Sequence, residues 1–96
     1  MNSPSIEDRL APSDQVVIRE LSGESVLLDL KSGLYFGLNG VGTRVWNLVA
    51  QGGSLREVNA ALAHEFEAPA AIIEAEVLRF AAELCRHGLC HVAEPR

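Results

Sequence analysis

"VLLDLKSGLYFGLNGVGTRVW", residues 26–46, is the stretch whose reading decides the fold. Two apolar runs, 26–31 and 34–38, are separated by a short break containing Ser32 and Gly33. Runs of this length bounded by glycine read as strands, and the break between them as a hairpin loop. Side-chain parity predicts the length of that loop. With Lys31, Ser32 and Gly33 as a three-residue loop, Leu30 faces Leu34, Leu28 faces Phe36 and Val26 faces Leu38. All six apolar side chains then share one face, as the two-residue period of a strand requires. Gly33 falls at the left-handed position of a type I turn plus bulge, where glycine is favoured. A two-residue loop would put Asp29 beside Phe36, so the three-residue loop is adopted. Tyr35 and Gly37 are left on the opposite face, with Leu27 and Asp29.

Upstream, "QVVIREL" (15–21) reads as a strand and "SGES" (22–25) as the turn leading into the hairpin. The result is an antiparallel meander whose third strand, 34–38, is an edge. Residues 1–13 carry two prolines and mixed charge, and read as a flexible arm preceding a domain at 14–93.

Downstream, Asn39 is placed to cap a helix with the stripe Val41, Val45, Leu48 and Val49, with Trp46 beside it. Gly52-Gly53 ends that helix. Ser54 followed by Glu57 has the spacing of a capping box, opening a second helix with Leu55, Val58, Ala61, Leu62 and Phe66 inward. Pro69 suits the first turn of a third helix and Gly88 its C-terminal cap, with "LCHVA" (89–93) as a short extended tail. The fold class is α+β: a three-stranded meander, then three helices.

The glycines of 33–42 do not make a nucleotide site. A dinucleotide fingerprint runs G-x-G-x-x-G into a helix of a βαβ unit, whereas here the order is Gly37-x-x-Gly40-x-Gly42 after a hairpin. A phosphate loop ends in Gly-Lys-Ser/Thr; here Thr43 and Arg44 follow Gly42. Gly40 and Gly42 read as strand-to-helix turn residues. Gly37 differs, because a glycine inside a strand marks a bulge or a close approach by another backbone.

Plotted at about 100° per residue, the third helix has a core stripe of Ile73, Val77, Phe80, Ala81 and Leu84. Next to it lies a second apolar sector, Ala71, Ala75, Leu78, Ala82 and Cys85, before the polar side with Glu76, Arg79, Glu83, Arg86 and His87. The apolar surface is roughly twice the ~100° of an ordinary surface helix. An edge strand beside such a helix is the geometry for capturing an extended peptide by strand addition.

These residues carry a family resemblance. The pattern "D-L-x-S-G-x-Y-F-x-L-N-x-x-G-x-x-x-W", Asp29 to Trp46, followed by a short second helix and a third ending in "CRHGL", resembles the PqqD-like proteins over residues 14–92. These are peptide-recognition domains of pathways that modify ribosomally made peptides. The resemblance implies a winged-helix-like module without catalytic activity or cofactor. It implies that a precursor's leader segment binds as an extra strand along 34–38 against the third helix. It also implies a separate partner enzyme, a leader protease or a radical SAM enzyme, and leans toward the lasso-peptide branch. Carried onto this chain, the binding set is Leu34, Tyr35, Phe36, Gly37 and Leu38 on the edge, with Ala71, Ala75, Leu78, Ala82 and Cys85 as the wall. Tyr35 and Gly37 are the contact candidates, Leu34, Phe36 and Leu38 the core ones, and Arg79 a partner for an acidic leader residue.

The alternative is a winged-helix DNA-binding regulator. A net charge of −5 overall, and −3 over residues 54–88, opposes phosphate binding. Cys85, His87, Cys90 and His91 are zinc-ligand types, but Cys85 and His87 are two apart on a helix and point in different directions. No third group orients His87 toward Cys85 as a catalytic base. No run approaches the roughly 18 apolar residues that cross a bilayer. The N-terminus lacks the basic start and apolar core of a secretory signal. Two cysteines make no disulfide framework, so a cytoplasmic location with reduced thiols is the simplest expectation.

Overall fold

The computed structural model describes residues 3–93. The chain runs β1 (Leu10–Pro12), β2 (Val16–Leu21), β3 (Glu24–Asp29), β4 (Tyr35–Leu38), α1 (Gly40–Ala50), α2 (Leu55–Phe66), α3 (Ala70–Arg86) and β5 (Cys90–Val92). Strands β2, β3 and β4 form the expected antiparallel meander with β4 at one edge, followed by the three helices.

Local chemistry sets the helix boundaries. The Asn39 side chain accepts from the Gly42 N–H at 2.9 Å and starts α1. Ser54 and Glu57 make the reciprocal capping box of α2, at 3.2 and 2.8 Å. Gly88, at φ +73°, lets the chain turn back after α3. Buried side chains from every layer meet in one core: Leu27 and Leu38 from the meander, Val45, Trp46 and Val49 from α1, Leu55, Val58 and Leu62 from α2, and Val77, Ala81 and Leu84 from α3. A buried hydrogen bond between Ser25 Oγ and Thr43 Oγ1, 2.7 Å, ties β3 to the first turn of α1.

Two expectations are corrected. The β3–β4 loop has four residues, 30–33, not three. Leu27 pairs with Phe36 and Ser25 with Leu38, one residue away from the parity reading. Asp29 is the reason. Its carboxylate accepts from the Lys31 N–H and the Ser32 hydroxyl, both at 3.0 Å, while its carbonyl accepts from the Gly33 N–H at 2.7 Å. This Asx-type closure holds four residues in the turn, and Gly33 keeps the expected left-handed φ of +77°. Leu27 is therefore fully buried, whereas Val26, Leu30 and Leu34 are exposed.

The N-terminal segment is not a free arm over its described residues. Pro4 is buried, Ile6 packs on the core, and Leu10 is 2% exposed. Two N–H groups in the first turn of α2, which have no partner within the helix, donate to it: Leu55 to Asp8 O and Arg56 to Ile6 O, each 2.8 Å. Arg56 pairs with Glu7, and Arg9 donates to the Gly52 carbonyl. Residues 1 and 2 of the expected arm lie outside the described residues.

The expected extended tail at 89–93 carries a strand, Cys90–Val92. β5 pairs antiparallel with β1, Leu10 opposite Val92 and Pro12 opposite Cys90, closing a second, two-stranded sheet.

Candidate peptide-binding edge

The free side of β4 is built from backbone first. In an antiparallel ladder, residues alternate between pointing their N–H and C=O at the neighbour and away from it. The Asp29 N–H donates to the Leu34 carbonyl at 3.0 Å. Stepping by two along the register, Phe36 and Leu38 are the residues bonded to β3. The backbone groups of Tyr35 and Gly37 consequently face the open edge. These two residues offer up to four hydrogen-bonding groups to an added strand.

Their side chains, and those between them, divide by face. Phe36, half-buried, and Leu38, buried, point inward with Ser25 and Leu27. Tyr35, 72% exposed, and Gly37 lie on the outer face with Val26 and Leu28. Leu34, assigned to the core from the sequence, is 58% exposed at the turn.

Beside the inner face of β4 runs a groove of about 390 Å3 toward α3. Its floor is apolar: Leu38, Val41, Val45, Leu62, Ile73, Val77 and Phe80. Gly42 contributes by what it lacks, since a Cβ there would sit 3.4 Å from Phe80 Cζ, Leu38 Cβ and Asn39 Oδ1. The rim is charged. Arg79 Nη2 holds Glu76 Oε1 at 2.6 Å, and both line the groove. Toward the C-terminal end of α3, the His87 ring tilts against Phe36 with centroids 5.1 Å apart. The next ion pair, Glu83 with Arg86 at 2.8 Å, lies off this groove, on the cavity beside Ala82. Hydrogen bonding to Arg86 keeps the Glu83 carboxyl below its ordinary value, with the guanidinium charge adding to the effect.

The α3 residues expected as a wall do not line this groove. Ala82 and Cys85 line a separate shallow cavity with Ser3, Pro4, Cys90 and His91. Leu78 and Cys85 pack against the core, and Ala71 and Ala75 are exposed. None of these five lines the groove; of the expected α3 set only Arg79 does. The sector of α3 that flanks β4 is the charged one, together with Ile73 and Phe80 at the border of the core stripe. The helical period assigns those two to the core stripe; in the structure they also line the groove. The helical period shows two flanks to the stripe, and only the packed chain shows which one β4 takes.

Both thiols are shifted away from the thiolate form. Burial pushes the Cys85 thiol up, with Asp8 adding to it, and burial pushes Cys90 up to about 12, with Cys85 adding to it. Among the described residues, no three His, Cys, Asp or Glu side chains lie together as a metal would need.

The model of the family described as coenzyme PQQ synthesis protein D (PqqD) matches residues 24–89. The chain belongs to the PqqD family. Two solved structures resemble this PqqD-family chain closely. TbiB1 in complex with the TbiA(beta) leader peptide superposes with a TM-score of 0.82 at 32% identity, covering 88% of this chain and 99% of TbiB1. Lasso peptide synthetase B1, complexed with the leader peptide, gives 0.77 at 25% identity, covering 88% and 98%. No curated protein sequence matches this PqqD-family chain.

Proposed function

We propose that this chain is a non-catalytic adaptor for ribosomally made precursor peptides, of which a lasso precursor is the favoured class. It takes up the leader segment as a fourth strand on the free edge of β4 and holds it for a separate modifying enzyme, a leader protease or a radical SAM enzyme. The supporting observation is the pairing of two unsatisfied backbone positions, Tyr35 and Gly37, with an apolar groove directly beside them. It occurs in a fold shared with two proteins captured with leader peptides. Edge hydrogen bonds supply affinity that is indifferent to sequence, and inward side chains at alternate guest positions enter the groove and supply selectivity.

No helix among the described residues is long and apolar enough to cross a membrane. The adaptor is proposed to work in the cytoplasm, where its substrates are translated.

The test is a titration of leader peptides from the native locus, followed by backbone amide shifts. Shifts should concentrate on residues 34–38 and on the α3 stretch from Ile73 to Phe80. Proline at Gly37 removes an outward N–H without touching the β3 ladder, and edge strands tolerate proline. Each net hydrogen bond is worth about 1 kcal/mol, so Gly37→Pro should lower affinity at least about tenfold once the steric block is added. Unchanged binding by Gly37→Pro would sink strand addition at β4. Saturable shifts with duplex DNA, and none with any leader, would replace the adaptor reading with that of a regulator.

A further inference from the structure

We propose that the outer face of the meander makes a second contact with the guest, and that the captured peptide carries an aromatic side chain directly opposite Gly37. The proposal rests on strand addition at β4 and adds a requirement on the peptide.

Glycine at 37 is unexplained by the chain itself. Gly23 and Gly33 need their positive φ, and Gly42 sits where α1 closes on Phe80. Gly37 has neither reason: it lies in an ordinary extended strand, and a Cβ built on it would meet nothing within 4 Å. A strand glycine forfeits stability unless its bareness is used.

The surroundings show the use. On the outer face, Gly37 has Val26 directly across the ladder, 41% exposed, and Tyr35 two residues away on its own strand. Arg19 pairs with Val26 on the next strand. A shallow concavity at this end of the sheet takes in Arg19, Leu21, Glu24, Val26 and Gly37 from this face and reaches Ser25, Leu38 and Asn39 at its border. A guest residue paired with Gly37 points its side chain to the same face, because opposed residues share a face of the sheet.

Reach selects the side chain. The guest backbone lies one strand spacing beyond β4 and Val26 one spacing behind it, roughly 10 Å in all. Leucine or valine cannot bridge that distance. A phenylalanine, tyrosine or tryptophan ring laid across the bare glycine can, and rings covering edge glycines are an established way of restoring the packing that glycine gives up. With any side chain at position 37 the ring would have to lift off the sheet.

The experiment selects phage-displayed random 20-residue peptides in parallel on the wild-type protein and on Gly37→Val. Valine favours strand and has open space there, so the variant should melt at or above the wild-type temperature. Wild-type winners should be enriched in one aromatic position, and that enrichment should vanish on Gly37→Val. A synthesised winner should lose about tenfold in affinity on Gly37→Val and about fivefold on Val26→Ser, in keeping with an aromatic contact of about this worth. The same peptide with alanine at the aromatic position should not distinguish the three proteins. Winners that shift the Tyr35 and Gly37 amides without aromatic enrichment, or with enrichment that survives Gly37→Val, overturn the inference and leave strand addition standing. Winners that leave those amides unmoved overturn strand addition itself.

Discussion

α3 has two flanks beside its core stripe, and the chain treats them in opposite ways. The flank bearing Ala82 and Cys85 is closed by the protein's own N-terminal segment, with Pro4 buried and Ile6 against the core. The flank bearing Glu76, Arg79 and Phe80 faces β4 across a groove that nothing in the described chain fills. Each flank adjoins backbone groups that their own helix or strand ladder leaves without a partner. At the first, the N–H groups of Leu55 and Arg56 are taken by Asp8 and Ile6, and β1 and β5 pair with each other. At the second, the edge groups of Tyr35 and Gly37 have no partner among the described residues. The domain satisfies one set of backbone groups with its own chain and leaves another open beside an apolar floor, which is the observation behind the proposed guest strand.

The contrast predicts that stability and binding can be changed separately. The largest effect should come from the closed side. Leu10→Ala removes a fully buried side chain from β1 and should cost about 2–5 kcal/mol in urea unfolding. Affinity for a leader peptide, measured per folded molecule, should hold; a parallel fall would mean the two flanks are coupled. Phe80→Ala on the open side should show the reverse weighting. We expect about tenfold weaker peptide binding by calorimetry, with a stability loss of about 2 kcal/mol because the ring is only half-buried.

Ala82→Leu sharpens the comparison further. It crowds Ser3 and Pro4 and should cost about 1 kcal/mol by overpacking, with peptide affinity unchanged. If affinity drops instead, the alanine sector belongs to the binding surface after all.

Acid should produce the smallest effect. Hydrogen bonding to the Ser54 backbone and side chain, then the Arg9 charge, holds the Glu57 carboxyl below its ordinary value of 4.5. Arg56 does the same for Glu7, first by hydrogen bond and then by charge. A carboxyl depressed in the folded state stabilises fully above its unfolded pKa and stops doing so as pH falls through the folded one. Melting temperature should therefore be flat from pH 7 to about 5 and decline slightly below about 4.5. Glu57→Gln should flatten that decline. The groups are solvent-exposed, so 0.5 M salt should shrink it as well.

Much of the fold was legible because it is written locally. Asn39, Ser54 with Glu57, and Gly88 act within a turn of where they stand, and each ends or begins a helix as its chemistry dictates. The pairing of β3 with β4 was not legible in the same way. Residues 26–28 and 30 are apolar at both parities, so the pattern fits either register, and the choice fell to the Asp29 carboxylate gripping the loop. The site divided along the same line. Tyr35 and Gly37 emerged from a single strand's alternation. Which flank of α3 lines the open groove depended on the N-terminal segment, some seventy residues away in sequence, covering the other.

The Asp29 turn has a consequence for how the hairpin can be altered, by nature or by design. Leu27 stands opposite Phe36 because the Asp29 carboxylate and carbonyl close the turn on the Asp29–Leu34 pair. Were the pairing to slip by one residue, one strand would turn over relative to the other and either Leu27 or Phe36 would leave the interior. A longer loop closed on the same pair would leave both where they are. The carboxylate thus behaves like a latch: what it guards is which residues meet, not how many lie between them.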